Sequence, residues 1–160
     1  MVIRRAELAD IPHILRLLQQ VCNVHQAIRP EIFKRDGVKY TEGDLNELLL
    51  DEMRPVWCAV EDGKFLGYCF CQWEVYRDSS VVTDRRELYI DDLCVDEACR
   101  GHGVATSLVR HVTAEARAAG TNFITLNVWQ GNDSALRFYE KMGMTPWKTT
   151  LELPLEETLC

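Results

Sequence analysis

A strand-like run that ends in a glycine turn before a helix constrains this chain more than any other feature. The stretch RELYIDDLCV (86–95) has the apolar content of a buried strand, yet it carries Asp91 and Asp92 in its middle. RGHG (100–103) follows, and then an apolar repeat at helical spacing begins. Glycines between a strand and a helix let backbone N–H groups converge, and the helix start adds unpaired donors. The pattern therefore predicts an anion site, best suited to phosphate.

Two other phosphate-binding loops can be compared with this turn by their spacing. A P-loop needs Gly-Lys followed by Ser or Thr, and that sequence is absent here. A dinucleotide-binding turn needs a third glycine where Thr106 stands, and it follows its strand directly, whereas DEACR (96–100) intervenes here. Neither loop fits, and a tight turn that binds no ligand stays open as the alternative to an anion site.

Hydrophobic periodicity predicts helices and strands along the whole chain. The first helix begins after Asp10, whereas residues 23–40 show no clear period and are predicted to be a loop. Asp62-Gly63 predicts a tight hairpin between two strands. The predicted order is β-α-α-β-β-β-α-β-α-β, with the last strand at 147–155. This order predicts an α+β fold with a mixed sheet, in a single domain that spans 1–160.

The composition narrows the class of function. The 160 residues carry a net charge of −7, which disfavours general nucleic-acid binding because such binding needs a basic surface. The seven cysteines are scattered, and no histidine lies at ligand spacing from Cys69 and Cys71, so we expect no metal. The first residues lack an apolar signal segment, and no apolar run is long enough to span a bilayer. We therefore expect a cytoplasmic protein with reduced thiols and no membrane partner.

The glycine turn and a later segment together resemble one known family. Arg100-x-x-Gly103-x-Ala105 is similar to the pyrophosphate loop of the GNAT N-acetyltransferases, and NVWQGNDSALRFYEKMGM (127–144) looks like that family's second motif. The predicted element order also agrees over nearly all of the chain. The resemblance implies a mostly antiparallel central sheet that is splayed between its fourth and fifth strands and flanked by helices. It also implies acetyl-CoA as cosubstrate, with no metal.

The resemblance assigns residues to the cosubstrate and to the chemistry. The backbone of the strand before the turn would bind the pantetheine arm, the turn would bind the pyrophosphate, and two polar residues near the later helix would approach the arm from its other side. Tyr139 occupies the position of the tyrosine that protonates the leaving thiolate. The implied cosubstrate residues are, in these three groups, Leu93, Cys94 and Val95; Arg100, Gly101, His102, Gly103, Val104 and Ala105; and Asn132 and Ser134.

The two aspartates are the candidates for handling an amine. Strict alternation places Asp92 on the same face as Ile90, and Asp91 on the other, unless a bulge near the pair changes the phase. An unpaired buried carboxylate is costly, so at least one of them needs a partner, a raised pKa or a wet cleft. An alkylammonium with a pKa of about 10.4 is only about one part in a thousand neutral at pH 7, and acetyl transfer needs the free amine. We expect Asp91 to assist deprotonation and both aspartates to attract the cationic substrate, although Asp92 or water remains an alternative base.

The resemblance therefore implies an enzyme that acetylates a primary amine of a small cationic molecule or of a peptide. The motifs look particularly like those of the diamine (spermidine/spermine) branch. A ribosomal-protein N-terminal acetyltransferase and a non-catalytic coenzyme A-binding module remain alternatives, and a homodimer is an arrangement that the sequence allows. By family analogy, residues 25–42 would cover the acceptor site, where His25, Arg29 and Tyr40 are candidates but ordinary loop packing is the competing interpretation.

Overall fold

The structure, a computed structural model, describes residues 1–155 as five strands and four α-helices. Two short 3-10 turns, Leu8–Asp10 and Glu97–Cys99, precede α1 and the glycine turn. In the part of the chain that the structure describes, no helix is long and apolar enough to cross a membrane. The elements are β1 (Val2–Arg5), α1 (Ile11–Ile28), α2 (Glu42–Leu48), β2 (Val56–Glu61), β3 (Lys64–Tyr76), β4 (Arg85–Val95), α3 (Val104–Ala118), β5 (Phe123–Leu126) and α4 (Asp133–Lys141).

The strands form one sheet in the order β1-β2-β3-β4-β5. The first three neighbouring pairs are antiparallel, and β4 pairs with β5 in parallel. The β2–β3 connection is the two-residue turn Asp62-Gly63, in which both residues have positive φ, as a tight hairpin requires. The β4-α3-β5 crossover supplies the single parallel pair, because two parallel strands need a long connection. The predicted mixed sheet and α+β class are confirmed.

The core lies on both faces of the sheet. On one face, α1 and α2 cover the inner strands, and Ile14 and Leu17 of α1 are fully buried in a cluster with Tyr68 and Phe70 of β3. On the other face, α3 buries Leu108 and Val112 against a cluster that contains Leu88, Ile90, Cys69 and Cys71. Each helix has one apolar face, so each can bury that face only by lying on the sheet. The two edge strands, β1 and β5, are both four residues long and only partly buried.

A capping box opens α2. Thr41 Oγ1 accepts a hydrogen bond from the Asp44 backbone N–H at 3.2 Å, and Asp44 Oδ2 accepts one from the Thr41 backbone N–H at 2.8 Å. These reciprocal bonds satisfy donors that the helix start would otherwise leave unpaired. The cap therefore fixes the end of the preceding loop, at residues 39 and 40, relative to α2 and the sheet.

The loop predicted at 23–40 is wrong over its first six residues, because α1 continues to Ile28. Gln19 donates to Asn23 one turn later, and the last turn ends where Arg29, the C-cap, precedes Pro30. A residue before proline is disfavoured in the α conformation, so the proline sets the boundary. The polar and half-buried last turn lacked the apolar period on which the prediction depended.

The prediction of a last strand at 147–155 is also wrong. These residues belong to no strand, and Leu151, Leu153 and Leu155 are 81–88% exposed. A strand needs a hydrogen-bonded neighbour. Alternation in the sequence gives the segment one apolar face but no such neighbour. Among the described residues, the outer edge of β5 has no paired strand either.

Candidate active site

The fourth and fifth strands separate halfway along β4, as the predicted splay requires. Residues Glu87–Ile90 of β4 pair with Phe123–Leu126, and that is the whole of β5. From Asp91 to Val95, β4 has only β3 as a paired neighbour within the described residues. One side of that backbone is therefore free to bond an extended ligand.

A bulge at Asp91 changes which face each aspartate occupies. The β3–β4 register passes from Phe70↔Asp92 to Cys71↔Ile90, so Asp91 is the extra residue. Ile90 packs in the cluster under α3, whereas Asp92 lies beside Tyr68 and Phe70 of the cluster under α1 and α2. The strict alternation that would place Ile90 and Asp92 on one face is therefore wrong, because a bulge shifts the side-chain phase by one residue.

Asp92 is a buried carboxyl with an altered acidity. Its residue surface is 8% exposed, and its Oδ2 accepts a hydrogen bond of 3.1 Å from the Tyr68 hydroxyl. Burial raises the pKa of Asp92 from 3.8 to about 6, although the Lys39 ammonium and the Tyr68 hydrogen bond oppose the shift. The low polarity disfavours the charged form more than these partners favour it. A carboxyl with this pKa can exchange a proton close to neutral pH.

Asp91 faces a wetter environment and already holds a cation. Its side chain is 30% exposed, and its Oδ2 accepts from the Tyr40 hydroxyl at 3.1 Å and lies 2.9 Å from the Lys39 ammonium. The same ammonium is 3.8 Å from Oδ2 of Asp92. Sequence reasoning named Tyr40 only as an open candidate and missed Lys39. No motif marks Lys39, because it reaches the aspartates from 52 residues away in the sequence.

The glycine turn has the shape that an anion site needs. Gly101 and Gly103 both have φ of 80°, which is the left-handed region, and a Cβ built on either would meet no atom within 4 Å. Gly103 is the N-cap of α3 and offers no side-chain cap, so the first N–H groups of the helix remain free for a ligand. Just before the turn, the Asp96 carboxylate accepts from Ala98 N–H and pairs with Arg16 at 2.7 Å. These contacts hold the strand-to-helix connection in place.

The other turn residues contribute unequally. Arg100 donates from Nε to the Val95 carbonyl at 3.2 Å and is exposed, so its guanidinium stays next to the turn. His102 is exposed beside the glycines, whereas Val104 is buried under the start of α3 and Ala105 is half-buried. Residues 100–105 thus form one turn that leads into the start of α3.

The strand residues predicted for pantetheine lie along the open half of β4. Leu93 and Val95 pack partly against the α3 cluster, and Cys94 points into the α1 cluster. The Cys94 thiol approaches the Leu17 carbonyl at 3.4 Å, and burial raises its pKa to about 12. A thiol this weakly acidic supplies almost no thiolate at neutral pH, so Cys94 fits a structural role rather than an acyl-cysteine intermediate.

Helix α4 brings Tyr139 toward the same region. Burial raises the pKa of Tyr139 above its ordinary value, and the neighbouring Cys69, Asp92 and Cys71 raise it further. Its phenol is therefore fully protonated at neutral pH, as a proton donor must be. Within residues 1–155, the hydroxyl makes no hydrogen bond, so the group is free to donate to a ligand.

Asn132 and Ser134 are partly engaged in capping α4. Asn132 Oδ1 accepts from the Ala135 backbone N–H at 3.3 Å and from the Ser134 hydroxyl at 3.1 Å. Capping is the structural explanation for an Asn at this position. The Asn132 amide nitrogen and the exposed Ser134 side chain remain able to contact a ligand at the helix start.

His25 and Arg29 pack against aromatic side chains. His25 packs on Phe33 with ring centroids 5.1 Å apart, and Arg29 lies over Trp129 at 6.0 Å. Arg29 also pairs with Glu152 at 2.8 Å. Neither side chain contacts the aspartate pair. Across residues 1–155, no group of three or more His, Cys, Asp or Glu side chains is arranged to hold a metal ion.

Comparisons with known proteins agree with this geometry. Residues 18–144 match the profile of the Acetyltransferase (GNAT) family, which covers most of the chain. The chain belongs to the GNAT acetyltransferase family, whose members use acetyl-CoA as cosubstrate. Curated relatives include N-alpha-acetyltransferase 30 of Schizosaccharomyces pombe, 23% identical over 86% of this chain and 84% of that protein. Another is the thialysine N-epsilon-acetyltransferase of Bos taurus, 25% identical over 89% of this chain and 82% of that protein.

Solved structures share the whole fold. A mutant of the BH1408 protein from Bacillus halodurans superposes with a TM-score of 0.94 and 30% identity, over 98% of this chain and 100% of that chain. An aminoglycoside acetyltransferase from an uncultured soil metagenomic sample, in complex with sisomicin, has a TM-score of 0.73 and 18% identity, over 98% and 96% of the two chains. The second likeness concerns the fold alone. The protein is an acetyltransferase, as the resemblance implied.

Proposed function

We propose that this enzyme, a single domain over 1–160, transfers the acetyl group of acetyl-CoA directly to a primary amine of a small cationic molecule or of a peptide. The observation that carries the proposal is the pair Asp91 and Asp92, which lies where β4 leaves β5 and already holds an ammonium group. Since the two carboxylates bind an ammonium group of this chain, they can also bind the ammonium group of a substrate. Opposite charges attract the cation before reaction.

Proton removal from the bound amine is the first task of the aspartates. An alkylammonium is almost wholly charged at neutral pH, and only the free amine attacks a thioester. We propose that Asp91, which is partly exposed, anchors the ammonium. Asp92, with its pKa of about 6, accepts the proton, directly or through one water. This division of labour differs from the sequence-based hypothesis, which gave the base role to Asp91, and its support is the burial of Asp92.

The remaining steps use the open half of β4 and α4. The backbone of Leu93, Cys94 and Val95 binds the pantetheine arm along the splay, and residues 100–105 with Asn132 and Ser134 hold the rest of the cosubstrate. The amine nitrogen forms a bond to the acetyl carbon, a main-chain N–H near Cys94 polarises the carbonyl, and the carbon–sulfur bond breaks. Tyr139 then donates its phenolic proton to the departing thiolate.

The acceptor is best sought among amines of several chemical classes. Thiol release from acetyl-CoA should be measured with thialysine, spermidine, an aminoglycoside, and peptides with free N-termini. We expect the highest kcat/KM for an acceptor that carries an alkylammonium. Release that no amine in the panel stimulates would contradict the proposal.

A second acceptor class is favoured by one specific observation. The chain is similar over most of its length to an N-alpha-acetyltransferase. Peptides that carry the N-terminal sequences of ribosomal proteins therefore belong in the same panel, as does the diamine acceptor implied by the sequence motifs. Turnover of peptides alone would assign the enzyme to N-terminal acetylation, and turnover of spermidine or thialysine alone would assign it to small amines.

We also propose a homodimer in which the segment 147–155 of each copy covers the open edge of β5 in the other. Trp147 packs on Phe123 at 5.1 Å, so the segment begins beside β5. It then exposes its leucines, and Leu136 of α4 is also 43% exposed. The segment exposes apolar residues and pairs with no strand, and β5 has an open edge. When two copies exchange their segments, each segment covers the open edge of β5 in the other copy.

The dimer has a direct test. Leu153→Asp places a charge in the proposed interface and should shift sedimentation toward the monomer, while Leu50→Asp, at a site that is 74% exposed, should not. A monomeric wild-type protein would contradict the arrangement. Within residues 1–155, six cysteines are unpaired thiols, and this state supports the proposed cytoplasmic location: Cys22, Cys58, Cys69, Cys71, Cys94 and Cys99.

A further inference from the structure

A lysine of the chain itself occupies the position where the acceptor's ammonium would bind. Lys39 Nζ lies 2.9 Å from Asp91 Oδ2, 3.8 Å from Asp92 Oδ2 and 3.4 Å from the Asp91 carbonyl oxygen. The Tyr40 ring is 5.5 Å away, close enough for a cation–π contact. These carboxylate, carbonyl and aromatic groups are the ones that a bound alkylammonium would use.

The residues that follow Lys39 in the sequence fix the position of its backbone. It precedes α2, whose capping box at Thr41 fixes the backbone just after it. Tyr40 stacks on Phe70 at 5.6 Å and donates to Asp91, so the residue after Lys39 is itself docked at the site. Residues 29–41 have no regular helix or strand, and the Lys39 side chain is 32% exposed. The side chain can therefore swing out while Tyr40 stays docked.

The burial of Asp92 limits the directions from which an amine can reach its carboxyl group. The Asp92 side chain is only 6% exposed, and its Oδ2 is shared by the Tyr68 hydroxyl and the Lys39 ammonium. The side of Asp92 that faces Tyr68 and Phe70 is filled by the core, so we infer that an amine reaches Asp92 from the side of Lys39.

We propose that Lys39 is a tethered competitor of the acceptor: its ammonium fills the acceptor's cation site in the free enzyme, and a cationic acceptor binds by displacing it. The inference rests on the proposed function, in which Asp91 and Asp92 receive the acceptor amine. The lysine thereby sets the acceptor concentration at which the enzyme responds. Acceptors that bring a cation of their own replace the lost ion pair, whereas uncharged molecules do not.

The size of the effect follows from the strength of one partly exposed ion pair. A partly exposed ion pair stabilises a conformation only weakly. When only a fraction of the protein can bind a ligand, the apparent affinity for the ligand is reduced in proportion to that fraction. Removing the tethered ammonium should therefore lower the acceptor KM by roughly twofold to fivefold. The KM for acetyl-CoA should not change, because Lys39 makes no contact with residues 100–105 in the hydrogen bonds and ion pairs of the described chain.

Kinetics of three variants test the competitor role. Lys39→Met keeps the length of the side chain and removes its charge, so it should show the lower acceptor KM. Lys39→Arg keeps a cation and should stay close to wild type. Lys34→Met is the matched control, since Lys34 lies exposed in the same loop and makes no ion pair within residues 1–155. A KM that is unchanged or higher in Lys39→Met, or one that falls equally in Lys39→Arg, overturns the proposal.

A binding experiment on the wild-type protein gives an answer even if no acceptor is turned over. The side-chain ammonium signal of Lys39, assigned by its loss in Lys39→Arg, is followed by NMR during titration with butylammonium without acetyl-CoA. Displacement predicts that the Lys39 signal moves and that the Lys34 signal does not. An unmoved Lys39 signal overturns the inference. Failure of the amine panel with a moving Lys39 signal would instead contradict only the proposed function.

Discussion

The Tyr68 hydroxyl donates a hydrogen bond of 3.1 Å to Oδ2 of Asp92, and both side chains are buried in the sheet. A hydrogen bond to the carboxylate favours its charged form, but burial disfavours it more strongly, and the pKa of Asp92 rises to about 6. The pair thus places a group that titrates near neutral pH beside the bulge of β4.

The first prediction concerns stability. The folded state binds a proton on Asp92 more tightly than the unfolded state does, so this stabilisation is present below the ordinary pKa of 3.8 and is lost as pH rises through about 6. Asp92→Asn removes the titration. We expect the free energy of unfolding of the variant, relative to wild type, to rise by about 2–3 kcal/mol between pH 4 and pH 8, since one pKa unit is worth about 1.4 kcal/mol.

Urea unfolding at a series of pH values measures this difference. Glu47→Gln, on the exposed face of α2, is the control and should show a difference that is small at every pH. If the relative stability of Asp92→Asn stays constant over the same range, the pKa of Asp92 is not raised in the way that its burial requires.

The second prediction concerns the base. If Asp92 accepts the amine proton, kcat/KM of the wild type should fall below a pH of about 6, because the protonated carboxyl cannot act. Asp92→Asn should have low kcat/KM and lack this acid limb. Asp91→Asn should keep the limb and raise the acceptor KM. A limb that disappears in Asp91→Asn and survives in Asp92→Asn would return the base role to Asp91.

The third prediction concerns the acid. Tyr139→Phe removes a protonated hydroxyl and preserves nearly all of the side chain's packing. Proton donation by a placed group is worth about 10²–10⁴ in rate, so kcat should fall within that range while the acetyl-CoA Kd stays within about twofold. Tyr76→Phe, whose hydroxyl binds Glu74 at the end of β3, serves as the control and should retain activity. Full activity in Tyr139→Phe would leave protonation of the thiolate to water.

The fourth prediction compares two glycines of α3. Gly103 and Gly120 flank the helix, both have positive φ, and a Cβ on either meets no atom within 4 Å. Gly103→Glu and Gly120→Glu therefore carry a similar backbone strain of about 1–2 kcal/mol. Only the first places a carboxylate where the pyrophosphate would bind, so calorimetry should show a steep loss of acetyl-CoA affinity in Gly103→Glu alone. Equal losses in the two variants would mean that strain, rather than the anion site, is responsible.

The parts of the fold that depend on local patterns were predictable. The Asp62-Gly63 hairpin, the Thr41–Asp44 capping box and the glycine turn before α3 follow from backbone requirements that a few neighbouring residues meet or fail to meet. The order of these elements determined the mixed sheet, because a parallel pair needs a long crossover. The sequence also determined that two carboxylates and a turn of free N–H groups lie close together along the chain.

The tertiary structure alone decided what those residues face. The bulge at Asp91 depends on the register between β3 and β4, which no local pattern specifies, and it turned Asp92 into the α1 cluster. Lys39 reached the aspartates because the loop after α1 folds back over β4, a long-range contact that leaves no periodic signal. Residues 147–155 show the converse. Their sequence alternates as that of a strand does, but within the described chain they form no ladder with any strand, although Trp147 packs on Phe123 of β5.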